Sequence, residues 1–395
     1  MSQTSTSTTG RLSAIDFTRG LVIVIMALDH IRDLLHTTSL TQQPLDLATT
    51  TPALFMTRWI THFCAPVFIF LAGVSAYLMS RRQNNVSETR RFLFTRGLWL
   101  IFLEITIIGF AIWFDLKFRS VLFQVIFAIG SGFVILSALV KLPSKIIGFM
   151  GLAIVLLHGV LPLHPFAKGS AGAVVWAIFF EGGFFNLGSD RALIIIYSII
   201  PWLGILLCGF GFAKVFERDA PSRRKILLRS GLSCLLVFII LRIINLYGDP
   251  KPWSPQVSFL YSLLSFINLS KYPPSLVYTA MTLSVMFFVL CIAEGKNNRL
   301  TGFFITYGRV PMFFYVLHWY IIHISMFVMI ILQGVTWEQM PFGPWNFGRP
   351  KEGVGLELPY VYVYWICLII CMYPLCRWYG KYKAANGQKK WLGYL

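Results

Sequence analysis

Apolar runs of roughly twenty residues recur along this chain, separated by short polar segments, and that length matches helices that cross a bilayer. Within these runs the hydrophobic positions are nearly continuous. The runs fall at about Ile60–Ser80, Leu98–Phe114, Val121–Val140, Ile146–Leu163, Ala192–Phe212, Ile226–Leu246, Ser275–Ile292, Pro311–Leu332 and Pro359–Cys376. A first helix begins near residue 11, too long for a signal-peptide core and interrupted by Asp16, Arg19, Asp29 and His30, so it reads as an uncleaved span. Together these predict an all-α fold, a polytopic transmembrane bundle of about ten helices. The apolar stretch Ala171–Phe180 is too short to cross and reads as interfacial or re-entrant. The domain plan is a disordered tail at 1–10, one transmembrane domain at 11–380 and a basic tail at 381–395, without internal repeats.

Composition agrees, with hydrophobic residues at 56%, charged residues at 13% and mean hydropathy +0.69 over 395 residues, which excludes a soluble globule. The chain has 34 Lys and Arg against 16 Asp and Glu, for a net charge of +18. The cations cluster between alternate apolar runs, for example Arg81, Arg82, Arg90, Arg91 and Arg96, as expected of loops held against anionic lipid and not of a nucleic-acid surface. One set of loops carries about 21 Lys and Arg and the other about nine, which predicts cytoplasmic termini. The longer loops at about 36–59, 164–190, 247–274 and 333–358 then face outward. The seven cysteines lack paired spacing and point to neither disulfides nor a metal site.

An ionisable side chain inside a span costs roughly 2.5–3.5 kcal/mol, so the first helix stands out. Arg19 and His30 lie eleven positions apart, on one face and about 16 Å apart along the axis. Asp33 falls near that face, Asp16 can pair with Arg19, and Asp29 can meet a neighbouring helix. Satisfied structural pairs at the two helix ends are one reading. A charged face spanning the helix and carrying an imidazole base favours a functional interior.

The stretch RLSAIDFTRGLVIVIMALDH, with Arg19 and His30 separated by ten residues, resembles membrane acyltransferases of the acyltransferase-3 kind. It is more closely similar to bacterial relatives of the heparan-alpha-glucosaminide N-acetyltransferase catalytic domain. THFCAPVFIFLAGVSAYLMSRR, NLSKYPPSLVYTAMTLS and GRVPMFFYVLHWYIIH extend the likeness through most of the chain. The resemblance implies a multi-helix bundle in a bacterial inner membrane. It takes an acyl group, acetyl first of all, from acyl-CoA on the cytoplasmic side and gives it to a hydroxyl or amine of an extracytoplasmic sugar or glycan. Acetyl-CoA is then a co-substrate, no metal is needed, and a homodimer is compatible with it. A reactive His in the segment between the first two helices is known in the family, and His30, His36 and His62 are the nearby candidates here.

The expected catalytic group is His30 as general base, oriented by Asp29 or Asp33, with His62 able to approach it from the start of the second span. Arg19 is expected to bind donor phosphate or the thioester oxygen, with Asp16 as its partner. Lys271 and Tyr272 are expected at the cavity mouth as acceptor contacts. Arg309 can meet phosphate or a carboxylate, and His318, in mid-span among aromatic residues, is expected to contact the donor or substrate, with a satisfied core histidine as the alternative. Glu104 reads as a buried partner for Arg19 or Arg96, and His158, His164 and His323 read as structural. A proton-coupled transporter, with the charged face lining a permeation path, is the alternative class.

Overall fold

The computed structural model describes residues 13–161, 164–389 and 392. The predicted tail 1–10, Leu163 at the end of the fifth predicted span, and 390–391 and 393–395 of the predicted basic tail lie outside these residues. The described helices are α1 (Ser13–Leu35), α2 (Pro52–Ile60), α3 (Cys64–Gln83), α4 (Val86–Leu103), α5 (Gly109–Trp113), α6 (Val125–Leu139), α7 (Ser144–Leu157), α8 (Ala171–Trp176), α9 (Ile199–Phe212), α10 (Ala220–Ile244), α11 (Phe259–Ile267), α12 (Leu276–Ala293), α13 (Arg299–Gly308), α14 (Pro311–Leu332) and α15 (Leu358–Ala385). Short strands β1 (Ser120–Phe123), β2 (Gly183–Asn186) and β3 (Ala192–Ile195) form one sheet, and β4 (Phe342–Gly343) and β5 (Asn346–Phe347) form a hairpin.

Among the described residues, seven helical segments are long and apolar enough to cross a membrane: Pro52–Gln83, Val86–Trp113, Ile199–Glu217, Ala220–Ile244, Leu276–Ala293, Pro311–Leu332 and Leu358–Ala385. The 23-residue α1 has the length but carries the charges noted above. The shorter α6 and α7 complete the set, so each of the ten predicted runs corresponds to a helix. The result is an all-α polytopic bundle. Only 22% of the apolar windows of α10 and α15 are buried inside the protein against 72% for α12, so α10 and α15 face lipid and α12 lies in the core.

The run ends differ from the sequence expectation. Val121 lies in β1 and Ala192–Ile195 is β3, paired in parallel with β1 (Ser120 opposite Ala192) and antiparallel with β2. β3 is buried throughout, so its unbroken apolar character is equally that of a helix end; periodicity does not separate the two. The longer loops are also not plain connections, because they contain α2, α11, β2 and the β4–β5 hairpin. The short stretch read as interfacial is α8 followed by one π-helical turn, Ala177–Glu181.

Glycines set how closely the helices approach. A Cβ on Gly20 of α1 would lie 1.8 Å from Phe304 O, and one on Gly308 of α13 would lie 1.8 Å from Asp16 O. Two backbones in contact at this point draw Arg309 to 3.9 Å from Asp16. Gly308 therefore packs against α1 and does not open backbone to a cavity. At the other end of α1, Leu356 N donates to Leu35 O (2.7 Å) just before α15 begins. The last helix thus returns alongside the first, and α15 ends at the same end of the bundle at which α1 begins. Buried Arg349 fixes this opposite, capped end by donating to Leu34 O (2.8 Å), His36 O (2.9 Å) and Val354 O (2.8 Å).

Candidate active site

Two cavities lie along α1. A cavity of about 330 Å³ at the capped end is lined by Asp29, His30 and Asp33 of α1, Arg58 of α2, Lys271 and Tyr272 before α12, and Tyr315 and Trp319 of α14. Phe184 of β2 and Trp345 of the hairpin, 5.0 Å apart and edge to face, also border it. A second cavity of about 230 Å³, nearer the termini, is lined by Arg19, Ser75, Arg96 and apolar residues of α3, α6 and α14. The face predicted from the Arg19–His30 spacing therefore exists, with one residue in each cavity. Met26, Phe68, Val125 and Tyr315 border both, so a single layer of side chains separates them.

His30 stacks on Trp319 with ring centroids 4.1 Å apart and planes at 37°, and His318 lies behind it at 5.3 Å. Its Nδ1 is buried without a hydrogen-bond partner. Asp29 does not orient this ring, contrary to expectation. Its carboxylate accepts from Arg32 (2.9 Å) on one oxygen and from Arg58 on the other. Asp33 is bound by the same Arg32 guanidinium and is otherwise open to the cavity. The reason is geometric: Arg32 sits three residues after Asp29 on the same helix, and α2 folds back so that Arg58 reaches it. Asp29 meets a neighbouring helix as read from the sequence, while His30 is positioned by aromatic rings.

His62 is fully buried, and neither cavity is lined by it; its ring faces Tyr278 at 5.6 Å, and Tyr278 Oη donates to its carbonyl at 2.7 Å. Tyr278, in an edge-to-face contact, and not His30, is its ring neighbour. His318 is also fully buried, with Nδ1 bound to Phe314 O (3.0 Å) and Nε2 unpartnered against His30. The Lys271 ammonium lies 5.1 Å from the Tyr272 ring centroid, and both line the cap cavity. Arg309 lies outside both cavities, on a cationic surface depression with Arg377 and Lys381. Arg19 donates to Leu71 O (3.1 Å) and Ser75 Oγ, and lies 3.7 Å from Asp16.

Glu104 is not paired with Arg19 or Arg96. Its Oε1 accepts from Gln124 N (3.0 Å), immediately before α6, whose own N-cap side chain makes no capping bond. At this end of the bundle Asp115 binds Arg119 through two bonds of 2.8 and 3.0 Å and accepts from Arg119 N (3.1 Å). Burial raises its carboxyl, but the Arg119 bonds outweigh that and hold it below the usual carboxylate value. His323 bonds to Phe347 O (2.9 Å) and stacks on Phe114, as a structural histidine would.

A family model described as heparan-alpha-glucosaminide N-acetyltransferase, catalytic, matches residues 11–242. The chain belongs to that family. It is therefore a multi-pass membrane protein of an acetyltransferase-like family, with transferase activity implied. Comparison with curated proteins returns no match. The matched region includes Arg19, Asp29, His30 and Arg58. Lys271, Tyr272, Tyr315, His318 and Trp319 follow it, so the cap cavity is completed by helices beyond the matched segment.

Sequence reasoning passed over Tyr315, Trp319, Tyr197 and Gln124, which all line the cap cavity. The first two had a usable signal: Tyr315, His318 and Trp319 stand at i, i+3 and i+4 and share one face of α14. Tyr197 and Gln124 had none, because each sits beside a strand that periodicity merged into a helix.

Proposed function

We propose that the protein transfers an acyl group, acetyl in the first instance, from acyl-CoA to a hydroxyl or amine of a sugar. The donor arrives through the cavity near the termini and the acceptor occupies the cap cavity. With cytoplasmic termini in a bacterial inner membrane, the donor is cytoplasmic and the acceptor extracytoplasmic. The observation that carries this reading is the pair of cavities meeting at one layer of side chains, with guanidinium groups in one and a partnerless imidazole nitrogen in the other. Guanidinium groups suit phosphate or a polarised carbonyl oxygen. The free imidazole nitrogen suits a general base that takes the acceptor's proton. Trp319 holds the ring of His30, while Arg58 and Lys271 present cations to the acceptor. A transporter could also use two stacked cavities, but family membership supports transfer.

The test uses the purified full chain in proteoliposomes, with labelled acetyl-CoA at one face and amino-sugar acceptors at the other. Label should reach the acceptor, with release of CoA, when the donor is on the side of the termini. His30→Ala should still bind CoA while turnover falls by about 10²-fold or more. No transfer or CoA release by the wild-type protein refutes the reading, and transfer only with the donor at the capped face refutes its polarity.

A further inference from the structure

Of the four residues shared by the two cavities, Met26, Phe68 and Val125 offer no hydrogen-bond donor, and Tyr315 carries the only hydroxyl. Tyr315 is 4% exposed, and its buried Oη has beside it the indole N–H of Trp319, a group that donates only, so the Tyr315 O–H itself has no acceptor. Folded chains seldom leave a buried donor without an acceptor, and a catalytic role or a bound water is among the explanations of the exceptions. Its ring lies 6.4 Å from that of His30 and 5.5 Å from that of His318, centroid to centroid. The indole of Trp319 lines only the cap cavity, and its N–H faces the Tyr315 hydroxyl. Tyr315 is the donor placed where an acyl group would pass from one cavity to the other.

We propose that Tyr315 is a catalytic residue of the transfer, its Oη donating a hydrogen bond to the carbonyl oxygen of the donor thioester. This rests on the acyltransferase reading above. The acceptor oxygen or nitrogen attacks the thioester carbon, His30 takes its proton, and the carbonyl electron pair moves to oxygen. The Tyr315 hydroxyl stabilises that charge without giving up its proton. When the carbonyl re-forms, the C–S bond breaks and the CoA sulfur leaves with the proton held by His30. A donor already fixed between two cavities does not have to reorganise as the charge develops, which is where such a bond gains its effect. An aromatic ring that only fills the septum would act equally well as phenylalanine, so the two roles separate cleanly.

The experiment compares wild-type protein with Tyr315→Phe, as full chains in the same detergent, by CoA release from acetyl-CoA with an acceptor the wild type uses. We expect kcat to fall by about 10²- to 10³-fold, with KM for acetyl-CoA and binding of free CoA little changed. A second measurement uses acetyl-CoA labelled with ¹³C at the carbonyl and bound to His30→Ala. Its carbonyl stretch should lie at lower frequency than in water, and the shift should vanish in His30→Ala/Tyr315→Phe. This readout remains informative even if Tyr315→Phe alone is poorly folded, because an unshifted band in His30→Ala overturns the proposal by itself. Activity of Tyr315→Phe within threefold of wild type also overturns it, as does parallel loss of CoA binding and thermal stability, which marks a structural residue. A wild-type protein that releases no CoA defeats the acyltransferase reading and this proposal with it.

Discussion

The cluster of Asp29, Arg32 and Arg58 gives the most direct test of how the cap cavity is held together. Asp29 lies between two guanidinium groups, with Arg32 at 2.9 Å, and the side chains of Arg32, Asp29 and Arg58 are 4%, 10% and 14% exposed. A unit pair about 3 Å apart at an effective dielectric of about 20 attracts by about 5 kcal/mol, an upper bound before desolvation is subtracted. Removing one partner of a buried pair costs about 3–5 kcal/mol when the other is left alone, but Asp29 keeps Arg32 when Arg58 is removed. The loss from Arg58→Gln should therefore be on the order of 2–3 kcal/mol. The assay is reversible unfolding in mixed mild and denaturing detergent micelles, across Arg58→Gln, Asp29→Asn and the double variant. The double variant should be less destabilised than the sum of the two singles, by about 1.5 kcal/mol or more. Effects that add to within about 0.5 kcal/mol would refute the reasoning and leave Arg58 free to move in the cavity wall.

Gly308→Ala places a methyl group 1.8 Å from Asp16 O, so α1 and α13 must separate; the variant should lose thermal stability and disturb the Asp16–Arg309 approach, whereas an unchanged unfolding midpoint would contradict the close packing. The Asp115–Arg119 pair should make stability depend on acid. The Asp115 carboxyl is held below its ordinary value of 3.8, so its contribution is fully present above that value and is lost as pH falls through the lower folded-state value. Asp115→Asn should flatten that acid limb of the unfolding midpoint, and an unaltered limb would assign the acid dependence elsewhere.

The apolar runs determined the class of protein, because only helices of that length satisfy their own backbone groups within hydrocarbon. The same argument located ten of the fifteen described helices and picked out α1, since charges in a span need a shared reason. The Arg19–His30 spacing placed those side chains on one face of α1, a property of one helix and its fixed pitch. Packing between elements distant in sequence decided the rest. Whether Asp29 serves His30 or a guanidinium depends on α2 folding back to deliver Arg58. Whether His62 reaches the cavity depends on the rotation of the segment before α3, which turns it toward Tyr278. The strands at the run ends form through pairing of β3 with both β1 and β2, and apolar periodicity carries no record of a partner. The septum of Met26, Phe68, Val125 and Tyr315 joins four different helices, so no local pattern could mark it. The sequence alone thus determined the membrane class, the long apolar helices and the charged face of α1, which follow from composition and pitch. Only the tertiary structure decided which charges pair and where the two cavities meet, because those depend on which side chains are brought together across the bundle.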